Sequence, residues 1–90
     1  MNKYLVEFLG TMLLVFVILA TGNWFAIGCA LGIAVLLGGP VSGGAFNPAV
    51  AMSLYSAGKL PKTDVLPYII IEFLGGLAAY GVYDKYINHA

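Results

Sequence analysis

Charged residues are scarce in this chain. They make up 9% of the 90 residues, four Lys against four Asp or Glu, and Arg is absent. A soluble domain carries about 25% charged residues, whereas hydrophobic residues reach 61% here, so the composition is that of a membrane protein. Because there is no basic run, neither nucleic acid nor an anionic lipid surface is expected as a partner.

Cysteine is almost missing too. The single Cys29 lies inside an apolar run, where it cannot form an intrachain disulfide and is expected to be a small packing residue. Two carboxylates, Glu7 and Glu72, lie in apolar segments, but no nucleophile or metal-ligating cluster accompanies them. We therefore expect no metal, no cofactor and no enzymatic activity.

The chain contains three long apolar segments, residues 4–20, 25–38 and 65–83. The first and third are close to the roughly 20 residues that cross a hydrocarbon core of about 30 Å. The first also resembles a secretory signal, with Lys3 ahead of it and Ala20 near its end, but Glu7 inside it argues against cleavage. In the second, Gly28 and Gly32 form a small-xxx-small pair that is expected to mediate helix packing.

The middle segment cannot continue as a single helix, because a Gly-Pro pair at 39–40 interrupts it. Further on, Asn47 is a good N-cap, Pro48 suits the first helical position, and Gly58 stands where a C-terminal cap is expected. These signals predict a helix from Pro48 to Ser56, about 14 Å long at about 1.5 Å per residue. Such a helix reaches only the midplane of the bilayer.

Residues 40–56 are thus predicted to form a re-entrant segment. Irregular backbone at membrane depth must be buried in protein or line a water-filled cavity, so a cavity is expected here. At its centre would lie the positive end of the half-helix dipole and the amide donor of Asn47. The carbonyl groups freed from helix pairing would line one wall, those of Gly43, Gly44, Ala45 and Phe46. Linings of this kind select neutral solutes.

Three stretches carry a family resemblance: EFLGTMLLVF, which contains Glu7, the central SGGAFNPAV, and YIIIEFLGG in the third segment. Together they closely resemble the first half of the aquaporin and glycerol facilitator family, the major intrinsic proteins, over nearly the whole chain. The resemblance implies an all-α membrane protein with three transmembrane helices and one re-entrant half-helix. It also implies a passive channel for water or small neutral, glycerol-like solutes, with Asn47, Pro48 and Ala49 at the pore constriction.

Family members consist of two inverted halves whose Asn-Pro-Ala ends meet, and this sequence resembles one of them. A half-helix of about 14 Å fills half of the membrane, so a second must enter from the other face. We predict an antiparallel homodimer, and by resemblance an assembly of four pores made from eight chains. A different half-module would also fit as the partner.

Lysine placement bears on how the chain inserts. With three spans, Lys3, Lys59 and Lys62 share one face and Lys85 lies on the other, so the positive-inside rule favours a cytoplasmic N-terminus. An inverted partner requires the same chain to insert both ways. The bias is small, and dual topology is therefore kept as an alternative.

The resemblance also assigns supporting and selective residues. Glu7 is expected to hydrogen-bond the backbone of the re-entrant loop, and Glu72 occupies a supporting position where Gln is common in the family. The selectivity filter would consist of Ile27, Val35, Gly44 and Val50. That filter is apolar and lacks a fixed cation, so neutral solutes with weaker proton exclusion are expected.

A different class of function also fits a small membrane chain. Holins and accessory subunits of larger complexes can have two or three spans, and neither needs a selective pore or a re-entrant half-helix. Osmotic measurements on liposomes that contain the protein would separate these alternatives from a channel.

Overall fold

Four α-helices in sequence order make up the fold. A computed structural model describes residues 2–88 of the chain, and within that range the backbone forms helices and connecting turns but no strand. The helices are α1 (Lys3–Thr21), α2 (Trp24–Ser42), α3 (Pro48–Ser56) and α4 (Lys62–Tyr86).

The short connection between α1 and α2 is set by residues that cap both helices. Gly22 adopts a left-handed conformation with φ of 54° and donates its N–H to the Ile18 carbonyl at 3.0 Å, which ends α1. Asn23 then starts α2, because its side-chain oxygen accepts the N–H of Ala26 at 2.9 Å. The chain therefore reverses direction within two residues, and α2 runs back along α1.

Helix α1 lies between α2 and α4 and packs against both, while α3 packs against α4. The face of α2 that is buried against the rest of the chain is a stripe of small residues four apart: Ala30, Ala34, Gly38 and Ser42. The expected packing pair, Gly28 and Gly32, lies elsewhere, and a Cβ at either position would meet no atom within 4 Å. Helix α2 therefore packs against the rest of the chain with the face that carries Ala34 and Gly38, and not with the face that carries Gly28 and Gly32.

Three of the helices, α1, α2 and α4, are long and apolar enough to cross a membrane. The 19 residues of α1 extend about 28 Å and the 25 residues of α4 about 37 Å. The long axis of the molecule is 44 Å, against about 40–45 Å for a bilayer with its headgroups. Large apolar side chains are exposed on the outer faces, Leu36 at 74% for example. The all-α membrane fold expected from the sequence is confirmed.

The second span is longer than the sequence indicates. Helix α2 continues through Pro40 and ends at Ser42, although its apolar pattern stops near Gly38. Proline removes one backbone donor, but the last turn keeps the bond from the Gly43 N–H to the Gly39 carbonyl at 2.8 Å. Ser42 donates a hydrogen bond to Glu7 of α1 and accepts one from Tyr68 of α4, and both bonds hold this turn in place. The irregular segment is therefore confined to residues 43–47.

Helix α3 is the half-length helix. Its nine residues extend about 14 Å, and it ends in a Schellman motif, where the Lys59 N–H donates to the Leu54 carbonyl at 2.8 Å and the Gly58 N–H to the Tyr55 carbonyl at 3.0 Å. Gly58 has φ of 75°, which favours glycine at this position. Helix α4 follows shortly afterwards and begins before the apolar segment does, at Lys62.

The starts of α1 and α4 are tied together at one end of the molecule. Lys3 Nζ forms an ion pair with Asp64 Oδ2 at 2.7 Å, and the Tyr4 hydroxyl donates to Asp64 Oδ1 at 2.8 Å. The Tyr4 ring also packs edge-on against Tyr68, with ring centroids 5.9 Å apart. This end therefore carries Lys3 and Lys62, whereas the last turn of α4 holds Lys85.

Candidate functional site

The site is built around the irregular loop 43–47, which joins α2 to the half-helix. Its backbone has positive φ at Gly43 (89°), Gly44 (71°) and Phe46 (56°). Glycine tolerates this region, but for an L-residue such as Phe46 it costs about 1–2 kcal/mol. The conformation of Phe46 must therefore be held by its surroundings.

The aromatic ring of Phe46 provides much of that hold. The residue is 2% exposed, and its ring lies against two glycines, Gly10 of α1 and Gly38 of α2. A Cβ at Gly10 would overlap the ring, and one at Gly38 would lie 3.1 Å from Cζ. The absence of side chains at these two positions creates the space that the loop occupies.

The carboxylate of Glu7 binds the loop from behind. It is fully buried on α1, and its Oε1 accepts the backbone N–H of Phe46 at 2.8 Å, while Oε2 accepts the Ser42 hydroxyl at 2.7 Å. The hydroxyl oxygen of Ser42 in turn accepts the N–H of Gly44 at 3.2 Å. A single carboxylate thus fixes the end of α2 and the loop that follows it.

Two further side chains, which the sequence analysis does not predict, support the loop and the helix end before it. The Thr11 hydroxyl donates to the Phe46 carbonyl at 3.2 Å, and the Tyr68 hydroxyl donates to the Ser42 carbonyl at 2.7 Å. Both bonds are buried. A signal for these residues exists in their spacing, because Thr11 stands four after Glu7 and Tyr68 four before Glu72, on the same helix faces.

The predicted carbonyl path divides into two groups. Within the described residues, no donor is bonded to the carbonyl groups of Gly43, Gly44 and Ala45, whereas that of Phe46 accepts Thr11. Gly43 is exposed and Gly44 half-buried, so their carbonyl groups lie where water or a solute can reach them, whereas Ala45 is buried. The Phe46 carbonyl keeps one lone pair.

The half-helix begins at Asn47, Pro48 and Ala49. Asn47 caps the helix with its own side chain, whose oxygen accepts the Ala49 N–H at 2.8 Å, and Pro48 occupies the first helical position. This arrangement leaves the amide NH₂ of Asn47 with no acceptor among the described residues. Asn47 is exposed, so this donor and the positive end of the helix dipole face open space.

That space is an open cavity of about 320 Å³ between α1, α4 and the tip of α3. Its polar lining consists of Thr11, Asn47 and Glu72, and its apolar lining includes Leu14, Val15, Phe73 and Leu77. Thr11 and Glu72 stand near the middle of α1 and α4 respectively. The tip of the half-helix therefore lies at mid-depth of the spanning helices.

Glu72 is placed differently from Glu7. It is 2% exposed, and neither of its carboxyl oxygens has a hydrogen-bond partner. Its polar neighbours include the Glu7 carboxylate and the backbone N–H of Asn47, which lies outside hydrogen-bonding geometry. Glu72 therefore stands behind the loop without bonding to it.

Two of the four expected filter residues lie together in this chain. The Val35 side chain faces Gly44, where a Cβ would lie 3.5 Å from both of its methyl groups. Ile27 is half-buried about two turns before Val35 on α2, and Val50 is 40% exposed on α3. No group of three or more His, Cys, Asp or Glu side chains in the described part of the chain could hold a metal ion.

Comparison with known proteins gives a family match along the full sequence. Residues 1–90 match the family model described as Major intrinsic protein. The chain is 37% identical to glycerol uptake facilitator protein-like 6 of Lactiplantibacillus plantarum, across 98% of this chain and 45% of that protein. It is 39% identical to aquaporin Z of Brucella melitensis, across 91% of this chain and 42% of the relative.

A third relative, aquaporin AqpM of Methanothermobacter thermautotrophicus, is 45% identical over 62 residues, which cover 64% of this chain and 25% of that protein. The chain thus spans less than half the length of the relatives it matches. The match along residues 1–90, together with a half-helix that starts at Asn47-Pro48-Ala49 between membrane spans, leads to one conclusion: the chain belongs to the major intrinsic protein family.

Proposed function

We propose that the chain forms one half of a passive channel for water and small neutral solutes. The observation that carries the proposal is the tip of α3, where an amide donor and a helix dipole face an open cavity at mid-depth. In this proposal the carbonyl groups of the adjoining loop, which accept no bond from the described residues at Gly43 and Gly44, supply acceptors for the permeant. Relatives named aquaporin and glycerol uptake facilitator support a transport function of this kind rather than an enzymatic one.

The polar groups of the site favour neutral permeants. Water and hydroxyl groups both donate and accept hydrogen bonds, so they match a path with carbonyl acceptors on the loop and an amide donor at Asn47. The positive end of the α3 dipole opposes cations. The carboxylate of Glu7 lies fully buried behind the loop and is compensated there by two donors.

A complete pore requires a second half-helix. The 14 Å of α3 cover about half of the roughly 30 Å hydrocarbon core, and the cavity beside Asn47 and Pro48 is open on the side away from α1 and α4. We propose that a second copy of this chain, inserted in the opposite direction, supplies the missing half. Relatives about twice as long as this chain support the need for a second module.

Membrane orientation and assembly belong to the same proposal. Lys3, Lys59 and Lys62 lie at or beside the end where α1 and α4 begin, and Lys85 is in the last turn of α4. The positive-inside rule favours a cytoplasmic N-terminus for one copy, and the partner would insert with its N-terminus outside. Four such dimers would give an eight-chain particle, and a separate half-module in place of the second copy would produce the same pore.

In this dimer each mouth would combine Ile27 of one copy with Val35, Gly44 and Val50 of the other. These residues present methyl groups and no charge, so the filter would discriminate by size and would exclude protons less strongly than a filter with a fixed cation.

Cross-linking tests the pairing. In a Cys29→Ala background, Asn47→Cys should form a disulfide-linked dimer in native membranes, because the two half-helix tips meet at the constriction. Ser56→Cys, at the exposed far end of the same helix, is the matched control and should stay monomeric. If Asn47→Cys remains monomeric while Ser56→Cys cross-links, the antiparallel pore is wrong.

Liposome swelling tests the activity. Purified protein in lipid should speed osmotic water flow and the entry of a small polyol while retaining a trapped dye. Permeability equal to that of empty liposomes would favour an accessory subunit, and release of the dye would favour a holin.

A further inference from the structure

Two buried carboxyl groups, one on α1 and one on α4, lie next to each other beside the loop 43–47. Glu7 of α1 is 0% exposed and Glu72 of α4 is 2% exposed, and their side chains are close enough to interact directly. They are also the only two glutamates in the chain. Two carboxylates placed side by side away from water cannot both be ionised, because like charges in a low dielectric repel strongly.

The hydrogen bonds distinguish the two groups. Glu7 accepts one donor on each oxygen, the Phe46 N–H at 2.8 Å and the Ser42 hydroxyl at 2.7 Å. Glu72 accepts none on either oxygen. Donors stabilise the charged form of a carboxyl group, and burial without donors destabilises it. The hydrogen bonds therefore favour a negative charge on Glu7 over one on Glu72.

We propose that Glu7 and Glu72 form a binding site for one proton, which is carried by Glu72 and donated as an O–H hydrogen bond to the Glu7 carboxylate. The arrangement gives the Glu72 O–H an acceptor, since each carboxylate oxygen of Glu7 has a lone pair left after accepting one bond. It also gives Glu72 the donor that an amide would offer at the same position. The site is assigned to a proton rather than a metal ion, because the adjoining cavity is lined mainly by apolar side chains such as Leu14 and Phe73.

Few other titratable groups surround the pair. On α4 the nearest is Tyr68, one turn before Glu72, whose hydroxyl is already bonded to the Ser42 carbonyl. Asp64 lies about two turns away and is paired with Lys3 and Tyr4. Helix α2 offers only the exposed Cys29 and helix α3 only the exposed Tyr55. A pH response at this position is therefore assigned to the Glu72 carboxyl group.

Loss of that proton has a definite consequence for the loop. A second negative charge would appear beside the Glu7 carboxylate, and the two charges would push α4 away from α1 at the position where Glu7 accepts the Phe46 N–H. The loop geometry is thus maintained while Glu72 holds its proton and lost as the pH rises through its titration. This effect on permeation rests on the proposed channel function, whereas the proton site does not.

Carbon-13 NMR of the full chain in lipid tests the site directly. With ¹³C-labelled glutamate the carboxyl region contains only Glu7 and Glu72. We expect one signal at a carboxylate shift and one at a carboxylic acid shift at neutral pH. Glu72→Gln should remove the acid signal alone, and Asp84→Asn, at an exposed position of α4, should change neither. Two carboxylate signals in the wild-type protein at neutral pH would overturn the proposal, and that result requires no variant to fold.

Permeability provides the second readout. Above the midpoint at which the acid signal disappears, wild-type water permeability should fall by about tenfold per pH unit, following the protonated fraction. The water permeability of Glu72→Gln should not change with pH across the same range. A wild-type permeability that is constant while the acid signal disappears would overturn the coupling to the loop. If liposomes show no permeability at all, the channel proposal fails and the NMR signals still decide the proton site.

Discussion

The backbone N–H of Phe46 donates to Oε1 of Glu7 at 2.8 Å, across 39 positions of sequence. This bond joins the first spanning helix to the residue just before the half-helix. Because Ser42 is bonded to the same carboxylate, one side chain of α1 determines where α2 ends and where the loop turns inward.

Replacing Glu7 tests the support of the loop. Glu7→Ala leaves the Phe46 N–H and the Ser42 hydroxyl buried without an acceptor, and each unsatisfied group costs about 1–3 kcal/mol. Glu7→Gln retains one oxygen acceptor and should lose less. Reversible unfolding in mixed detergent measures the difference, and equal stabilities for Glu7→Ala and the wild-type protein would contradict this role.

The contact between Gly10 and Phe46 is tested by adding one methyl group. Gly10→Ala places a Cβ inside the Phe46 ring and should destabilise the protein by about 1–3 kcal/mol, with a loss of permeability as the loop shifts. Gly81→Ala is the matched control, since a Cβ there meets no atom within 4 Å and should stabilise α4 by about 0.5–1 kcal/mol. Both are measured by thermal unfolding in lipid or detergent. If both variants changed the unfolding temperature by the same amount, the Phe46 ring would not need the space at Gly10.

Asn47→Asp separates the cap of the half-helix from the constriction. Aspartate caps a helix as well as asparagine does, so α3 and the unfolding temperature should be retained. The new carboxylate lies where the helix dipole otherwise opposes cations, and it should raise the cation leak. A potential-sensitive dye in liposomes measures that leak, with Ser53→Asp, an exposed position later on the same helix, as the control. An equal leak from both variants would place Asn47 away from the constriction.

Val50→Arg tests the filter position. The side chain is 40% exposed on α3, and a guanidinium there would narrow the mouth and add a fixed cation. Glycerol entry should fall more than water flow. Swelling and shrinkage assays on the same liposomes measure both. Met52→Arg adds the same group at an exposed position that points to another side of α3. If Val50→Arg reduced glycerol entry and water flow equally, Val50 would not belong to the filter.

Local signals in the sequence predict much of this fold. The lengths of the apolar segments predict three spans, and Asn47, Pro48 and Gly58 mark the half-helix because caps depend on backbone geometry close to the residue itself. The prediction that α2 ends before Pro40 is wrong, because Ser42 donates to Glu7 and accepts from Tyr68, and these bonds keep the last turn helical beyond the proline.

The supporting residues of the loop were harder to predict. Thr11 and Tyr68 act through single hydrogen bonds to carbonyl groups 35 and 26 positions away, and nothing in their neighbouring sequence specifies those acceptors. The left-handed backbone of Phe46 was equally hidden, because its cause is the space left by Gly10 and Gly38 on two other helices. Tertiary contacts of this kind appear only when the helices are assembled.

The order of these contacts along the chain has a consequence for biosynthesis. Glu7 and Thr11 are made before the loop, but Tyr68, which bonds the Ser42 carbonyl, belongs to α4 and is made after it. The half-helix packs on α4 and on no other helix, so it lacks its lateral support until that helix is inserted. We therefore expect the loop and the half-helix to reach their final positions only after α4 has entered the membrane.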